Sequence, residues 1–188
     1  MKIRITPGAL LLLLSLFCAS GKTAAAVLLA AALHECGHLL AARLLGIRLR
    51  LLELDFAGAR LYPARAIPSY CAEGWLAAAG PLASLTVALL FPFPTPFFVL
   101  LRTAALSQAL FNLLPIDGFD GGRILFSLLS QLSDPERARR ALLITTYLCL
   151  LFLFALSSCL LLRFGESMTL AVLSASVFTH QFLVGQEP

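Results

Sequence analysis

The stretch ALHECGHLLAARLLG (Ala32 to Gly46) sets two histidines and a glutamate within five residues of an apolar run. On a helix His34 and His38 stand at i and i+4, sharing a face and lying about 6 Å apart along the axis. That spacing lets both imidazoles bind one zinc ion, with Glu35 beside the metal as general base. Chance would place such a pattern in on the order of one chain of this length in a few hundred. A charged group inside an apolar span is expensive, so Glu35 points to chemistry rather than packing. Cys36, two residues after His34, falls on the far side of the helix and is not expected to ligate.

Two histidines do not complete a catalytic zinc site, which usually has three protein ligands and a water. His180 is the remaining histidine. Alone near the end of an apolar run, it reads as a packed or interfacial residue. Better candidates lie in NLLPIDGFDGGRIL (Asn112 to Leu125), where Asp117 and Asp120 each precede glycine just after Pro115 breaks a helix. The glycines allow the backbone to bend and to approach a neighbour closely.

These residues must be positioned by elements suited to lipid. The chain is 60% hydrophobic and 13% charged, against about 45–50% and about 25% in an average soluble domain. One small core cannot hide that excess. Six apolar segments stand out, at about 7–20, 24–45, 70–91, 97–114, 138–162 and 167–184. The first is the shortest, covering only about 21 Å of a hydrocarbon core of about 30 Å. With Lys2 and Arg4 before it and small residues after it, it also resembles a secretion signal. A retained span is the preferred reading, because more apolar helix follows almost at once. Prolines 92, 94 and 96 separate the third segment from the fourth, and Ser133-Asp134-Pro135-Glu136 reads as the start of the fifth. The five cysteines form no C-x-x-C pair and read as small apolar fillers.

The basic residues orient the spans. With a cytoplasmic N-terminus, the inner side receives Lys2, Arg4, Arg43, Arg48, Arg50, Arg60, Arg65, Arg123, Arg137, Arg139 and Arg140, while Lys22, Arg163 and Arg102 lie outside or near the outer end. That bias is the positive-inside pattern, not a nucleic-acid signature. It sets His34 and His38 in the inner half of the second span. The segment carrying Asp117 and Asp120 follows an inward-running span, so both motifs reach the same side. Between the second and third spans, GIRLRLLELDFAGARLY alternates apolar and charged residues, with one phase slip at Leu51-Leu52. It reads as a strand pair with a bulge near the inner membrane surface.

HECGH on an apolar helix, followed by N-x-x-P-x-x-x-x-D-G-G-R, resembles the site-2 protease family of intramembrane zinc metalloproteases, and within it the compact branch of stage IV sporulation protein FB. Ala79-Gly80-Pro81-Leu82 resembles the family's A-G-P-L segment, with Ser84 where the family usually has asparagine. LELDFAGARL resembles its membrane-associated strands, with Asp55 where proline is common. The resemblance covers about residues 20–130. It implies Asp120 as third zinc ligand beside His34 and His38, Glu35 as the base, and Asn112 as a substrate-handling residue. It favours Asp120 over Asp117, which lacks the double glycine.

The expected architecture is therefore an all-α polytopic membrane protein, with about six transmembrane helices and a short membrane-associated β-hairpin between the second and third. Residues 1–188 form a single integral-membrane protease domain, without a PDZ-like insertion or an appended C-terminal domain. The expected function is hydrolysis of membrane-associated or transmembrane protein substrates near the cytoplasmic leaflet of a bacterial cell membrane, with one catalytic Zn2+. Processing of a pro-sigma factor is the substrate the nearest branch implies. Membrane regulatory proteins and the lipid bilayer are the other expected partners, and nucleic acid is not. The strand at Arg48 to Phe56 offers an edge that a substrate could join in extended form. Two readings compete: a membrane metal-binding or transport protein, and a catalytically silent scaffold. The first should carry polar residues along several spans, yet the later ones offer only Thr145, Thr146, Tyr147 and His180. The second should have lost the glutamate that Glu35 retains.

Overall fold

The structure, a computed structural model, describes residues 2–5, 20–55, 58–90 and 94–164. The chain divides into two compact units, Met1–Leu113 and Leu114–Pro188.

In the first unit, helix α1 (Gly21–Leu44) begins where Ser20, in extended conformation, accepts a hydrogen bond from the Thr23 amide at 3.2 Å. Serine at this position meets one of the amides the first turn leaves without a helical partner. Its buried residues are Ala26, Ala30, His34, His38 and Ala42. They recur every fourth residue and so form one stripe, while Leu28, Leu29, Leu40 and Leu44 are exposed on other faces. Lipid gives leucine no reason to turn inward. Membrane helices instead associate through small residues that let backbones approach.

The same logic runs through helices α2 (Tyr70–Leu90) and α3 (Pro96–Asn112). Ala26 and Ala30 cluster with Val87 and Ala88 of α2 and with Leu101 and Ala105 of α3. A methyl group on Gly37 would lie 2.5 Å from the Ala79 carbonyl oxygen and 2.7 Å from the Ala83 Cβ. Gly37, inside HECGH, is thus a point where the backbones of α1 and α2 pack closely. Gly37→Ala should lower the thermal midpoint in detergent, because overpacking costs about 1–3 kcal/mol and outweighs the gain in helix propensity. An unchanged midpoint would show that the helices separate freely. Arg102 Nε donates to the Ala88 carbonyl at 2.9 Å. It thereby uses its charge on the last turn of α2, where helical carbonyls lack partners.

β2 (Leu49–Asp55) and β3 (Gly58–Pro63) connect α1 to α2 and, with β1 (Lys2–Ile5) from ahead of α1, form a sheet of three strands in the order β1-β2-β3. The expected antiparallel pair is present, with Leu52 opposite Leu61 and Asp55 opposite Gly58. Its irregularity falls between Leu49 and Leu51, slightly earlier than the phase slip at Leu51-Leu52. One expectation is overturned. β2 is the central strand, because β1 pairs with it in parallel, Arg4 opposite Glu53. A substrate therefore finds no free edge on β2; the edges belong to β1 and β3. Glu53 ties the three strands together, facing Arg4 at 3.6 Å and accepting from the Tyr62 hydroxyl at 2.8 Å.

The second unit opens with a turn. The Phe119 amide donates to the Ile116 carbonyl at 3.0 Å, and Gly118 has φ +93°, a conformation that costs glycine nothing. Helix α4 (Asp120–Leu132) follows, then α5 (Pro135–Phe164), which starts at the expected proline. α4 was not expected. It buries Gly121, Gly122, Ser127 and Ser130 and exposes Leu128 and Leu132. A methyl on Gly122 would collide with the Ile116 carbonyl oxygen at 2.1 Å, so this glycine lets the preceding turn fold back over the helix.

Among the described residues, three helices are long and apolar enough to cross a membrane: Gly21–Leu44, Tyr70–Leu90 and Pro135–Cys159. They correspond to the second, third and fifth expected spans. The fourth, expected at 97–114, is a helix of 17 residues, about 26 Å long and short of the roughly 30 Å core. The expected span at 7–20, except for Ser20, and the one at 167–184, with His180, lie outside the described residues.

Candidate active site

The fourfold stripe on α1 carries both histidines into the packed face, where His34 is 2% and His38 4% exposed. Facing them on α2 is a second fourfold stripe, Leu76, Gly80 and Ser84, all buried. His38 Nδ1 donates to the Leu76 carbonyl at 2.8 Å, and His34 Nδ1 lies 2.9 Å from Ser84 Oγ. With both Nδ1 atoms held by α2, the Nε2 atoms turn toward each other and stand 3.3 Å apart. The rings cross at 78° with centroids 5.0 Å apart.

Gly80 fills the place between the two partners. A methyl there would lie 2.2 Å from His38 Nε2 and 2.7 Å from His34 Nε2. The backbone of α2 therefore comes as close to the two nitrogens as a residue without a side chain permits. Pro81 follows directly and removes the amide that would bond back to Ala77. Glu35 is half-buried and Cys36 exposed, as the helical spacing predicts.

In the second unit Asp120 is the first residue of α4 and is 8% exposed. Ionised carboxylates are favoured there, because the amides of the first turn carry the positive end of the helix dipole. Arg123, one turn on, lies 4.0 Å away. Asp117 is differently committed. Its Oδ2 pairs with Arg139 at 3.0 Å, and its backbone amide donates to Thr146 Oγ1 at 2.9 Å. That engagement gives Asp117 a structural task in joining the turn to α5. Asn112 is the last residue of α3; its Nδ2 donates to the Gln108 carbonyl at 3.2 Å.

Sequence reasoning had noted Ser84 only as a departure from asparagine, and Leu76 not at all. The spacing of Leu76, Gly80 and Ser84, each four residues from the next, was the signal that could have found them.

Two comparisons with known proteins bear on this site. Residues 93–156 match the model of peptidase family M50. The fold is similar to that of a site-2 protease from Methanocaldococcus jannaschii, with TM-score 0.61 and 25% sequence identity over 94% of this chain and 87% of that one. No curated protein matches the sequence.

Proposed function

We propose that this chain, a metalloendopeptidase by its M50 segment and its likeness to a site-2 protease, is an integral-membrane zinc protease that cleaves membrane-associated or transmembrane proteins near the cytoplasmic leaflet. The observation that carries the reading is the pair of buried imidazoles on an apolar helix, each fixed through Nδ1 so that Nε2 faces its neighbour. Rings held in this way by a carbonyl and a hydroxyl suit a ligand role.

His34, His38 and Asp120 are the proposed ligands, two imidazole nitrogens and a carboxylate oxygen, all buried and of the types that hold a metal ion. Three protein ligands of these kinds would suit a catalytic zinc ion. When bound, zinc supplies Lewis acidity, making water a nucleophile at neutral pH and polarising the scissile carbonyl. Glu35 takes the proton from the attacking water. The water oxygen bonds to the carbonyl carbon, the carbon–nitrogen bond breaks, and Glu35 returns the proton to the departing amine. Asn112 would hold the substrate backbone, a role drawn from the family resemblance alone. The positive-inside bias supports a site facing the cytoplasm, and the resemblance to the stage IV sporulation branch makes a pro-sigma factor in a bacterial membrane the proposed substrate.

Asp120→Asn should lower zinc content by more than the 10–100-fold typical of losing a supporting partner. Asp117→Asn should leave zinc within about twofold and cost at most about 1 kcal/mol, since its pair with Arg139 is partly solvated. Metal analysis of the purified variants checks both, and the opposite order would exchange the two aspartates. The substrate is tested by co-expression with candidate membrane proteins, comparing intact enzyme with a variant lacking the base.

A further inference from the structure

We infer that the C-terminal end of α1 and the strands that follow it form a binding site for an anionic phospholipid. Arg43, Arg48, Arg50 and Arg65 meet its headgroup, and Leu40 and Leu44 meet its acyl chain. The inference rests on the integral-membrane part of the reading above and is independent of zinc.

The backbone gathers the four arginines. α1 ends in a tight reversal, in which the Gly46 amide donates to the Arg43 carbonyl at 3.2 Å and the Ile47 amide to the Ala42 carbonyl at 2.8 Å. Gly46 has φ +67°, which glycine adopts without strain. The chain leaves this turn directly into Arg48. The Ala64 amide donates to the Arg48 carbonyl at 2.8 Å, so Arg65 follows in the chain alongside. Leu49 stands opposite Pro63 and Leu51 opposite Tyr62, which makes Arg50 the extra residue of the irregularity in β2. Such a bulge re-aims the side chain it carries. All four arginines are exposed.

Their charge has no counterpart in the protein. Among the described residues no ion pair reaches any of the four, whereas Arg4 on β1 is paired with Glu53. Arg43 has a helical reason for its place, since a cation in the last turn complements the helix dipole. Arg48, Arg50 and Arg65 have no such reason. Like charges gathered without an acid repel one another, and a bound anion removes that cost.

Charge alone would serve an acidic peptide equally well. The neighbouring surface favours lipid. Leu40 is 60% and Leu44 78% exposed, and Leu44 adjoins Arg43 on α1. Guanidinium groups beside exposed leucines match a phosphate followed by a hydrocarbon chain, and a hydrophilic peptide has no use for the leucines. Basic clusters of this size at the end of a membrane helix attract anionic lipid. The bound lipid fastens β2 and β3 to the membrane surface where they leave α1.

The test titrates full-length protein in neutral detergent with phosphatidylglycerol and counts retained lipid by native mass spectrometry. Phosphatidylcholine of the same chain length, glycerol phosphate and a short polyglutamate peptide are the comparison probes. Phosphatidylglycerol should bind and the other three should not. Arg48→Gln combined with Arg50→Gln should weaken binding by roughly 25-fold, about fivefold for each arginine. Arg48→Lys with Arg50→Lys keeps the charge and should bind within a few-fold of wild type. Arg137→Gln with Arg140→Gln removes as much charge from the exposed start of α5 and should change binding by less than about twofold. Equal losses in the two glutamine pairs would overturn the inference, as would a lysine pair that loses as much as the glutamine pair at the same positions. So would phosphatidylcholine, glycerol phosphate or the peptide binding as tightly as phosphatidylglycerol. Carbonate extraction of the expressing membranes separates the two levels. Protein released by carbonate would sink the membrane reading itself, whereas protein that stays embedded yet retains no phosphatidylglycerol sinks only the inference.

Discussion

Glu35→Gln leaves zinc in place and removes cleavage. Glutamine has almost the shape of glutamate, so the turn of α1 between His34 and His38 is undisturbed, and position 35 is not in the proposed donor set. What glutamine lacks is a group that can take a proton from water and return it to an amine. General acid–base groups contribute about 10²–10⁴-fold to rate. Single-turnover cleavage of a co-purified membrane substrate should therefore fall by at least about a hundredfold, while metal analysis returns the wild-type stoichiometry. The variant should also be no less stable than wild type. A carboxylate in an apolar helix is costly, and active-site groups are often retained at the expense of stability. A higher thermal midpoint together with lost turnover is the expected pair of results. Normal turnover would remove Glu35 from the mechanism, and lost zinc would make it a ligand.

How much of this was legible in the sequence varied with the kind of signal. The shared buried face of His34 and His38 on α1 was readable because i, i+4 spacing on a helix is fixed geometry. Nothing in the chain's surroundings alters which residues share that face. The pairing of β2 with β3 was readable from alternation alone. β1 was not, since four residues containing Lys2 and Arg4 look the same whether they flank a span or join a sheet. Its presence changed a functional expectation, because it covers the edge of β2 that a substrate was expected to use. α4 was missed for a different reason. Periodicity is normally read with apolar residues inward, yet α4 buries glycines and serines and exposes Leu128 and Leu132. In lipid that inverted pattern is reasonable, but the double glycine drew attention as a bend. Both glycines instead lie inside the helix, and Gly122 is there to clear the Ile116 carbonyl. The two α2 groups that hold the histidines were harder to read: one is a main-chain carbonyl, which no residue type marks, and the other a serine legible only through its fourfold spacing from Leu76 and Gly80.

Gly80→Ala produces the most specific failure expected of this protein. By local rules it is a favourable change: alanine in a helix interior is about 1 kcal/mol better than glycine, since the unfolded chain loses freedom. Gly80 is fully helical and has no positive φ to protect. The tertiary environment reverses the sign for function. The new methyl would lie 2.2 Å from His38 Nε2 and 2.7 Å from His34 Nε2, the two atoms proposed to bind the metal. Real side chains do not approach so closely, so α1 and α2 must part or the imidazoles must turn away. Parting is resisted at Gly37, whose own close contact with Ala79 lies next to Gly80 on α2. Turning away breaks the bonds from Nδ1 to Leu76 and Ser84. Zinc affinity should therefore fall by well over the 10–100-fold typical of losing a ligand's supporting partner, with cleavage lost in proportion. Circular dichroism should report the same helix content as wild type. The pattern separates a blocked site from a misfolded chain: helices retained, metal absent, and the His34 and His38 imidazole resonances displaced even before zinc is added. Wild-type zinc affinity in Gly80→Ala would mean that the ion does not lie where the two Nε2 atoms meet, and the ligand assignment would have to be rebuilt around Nδ1.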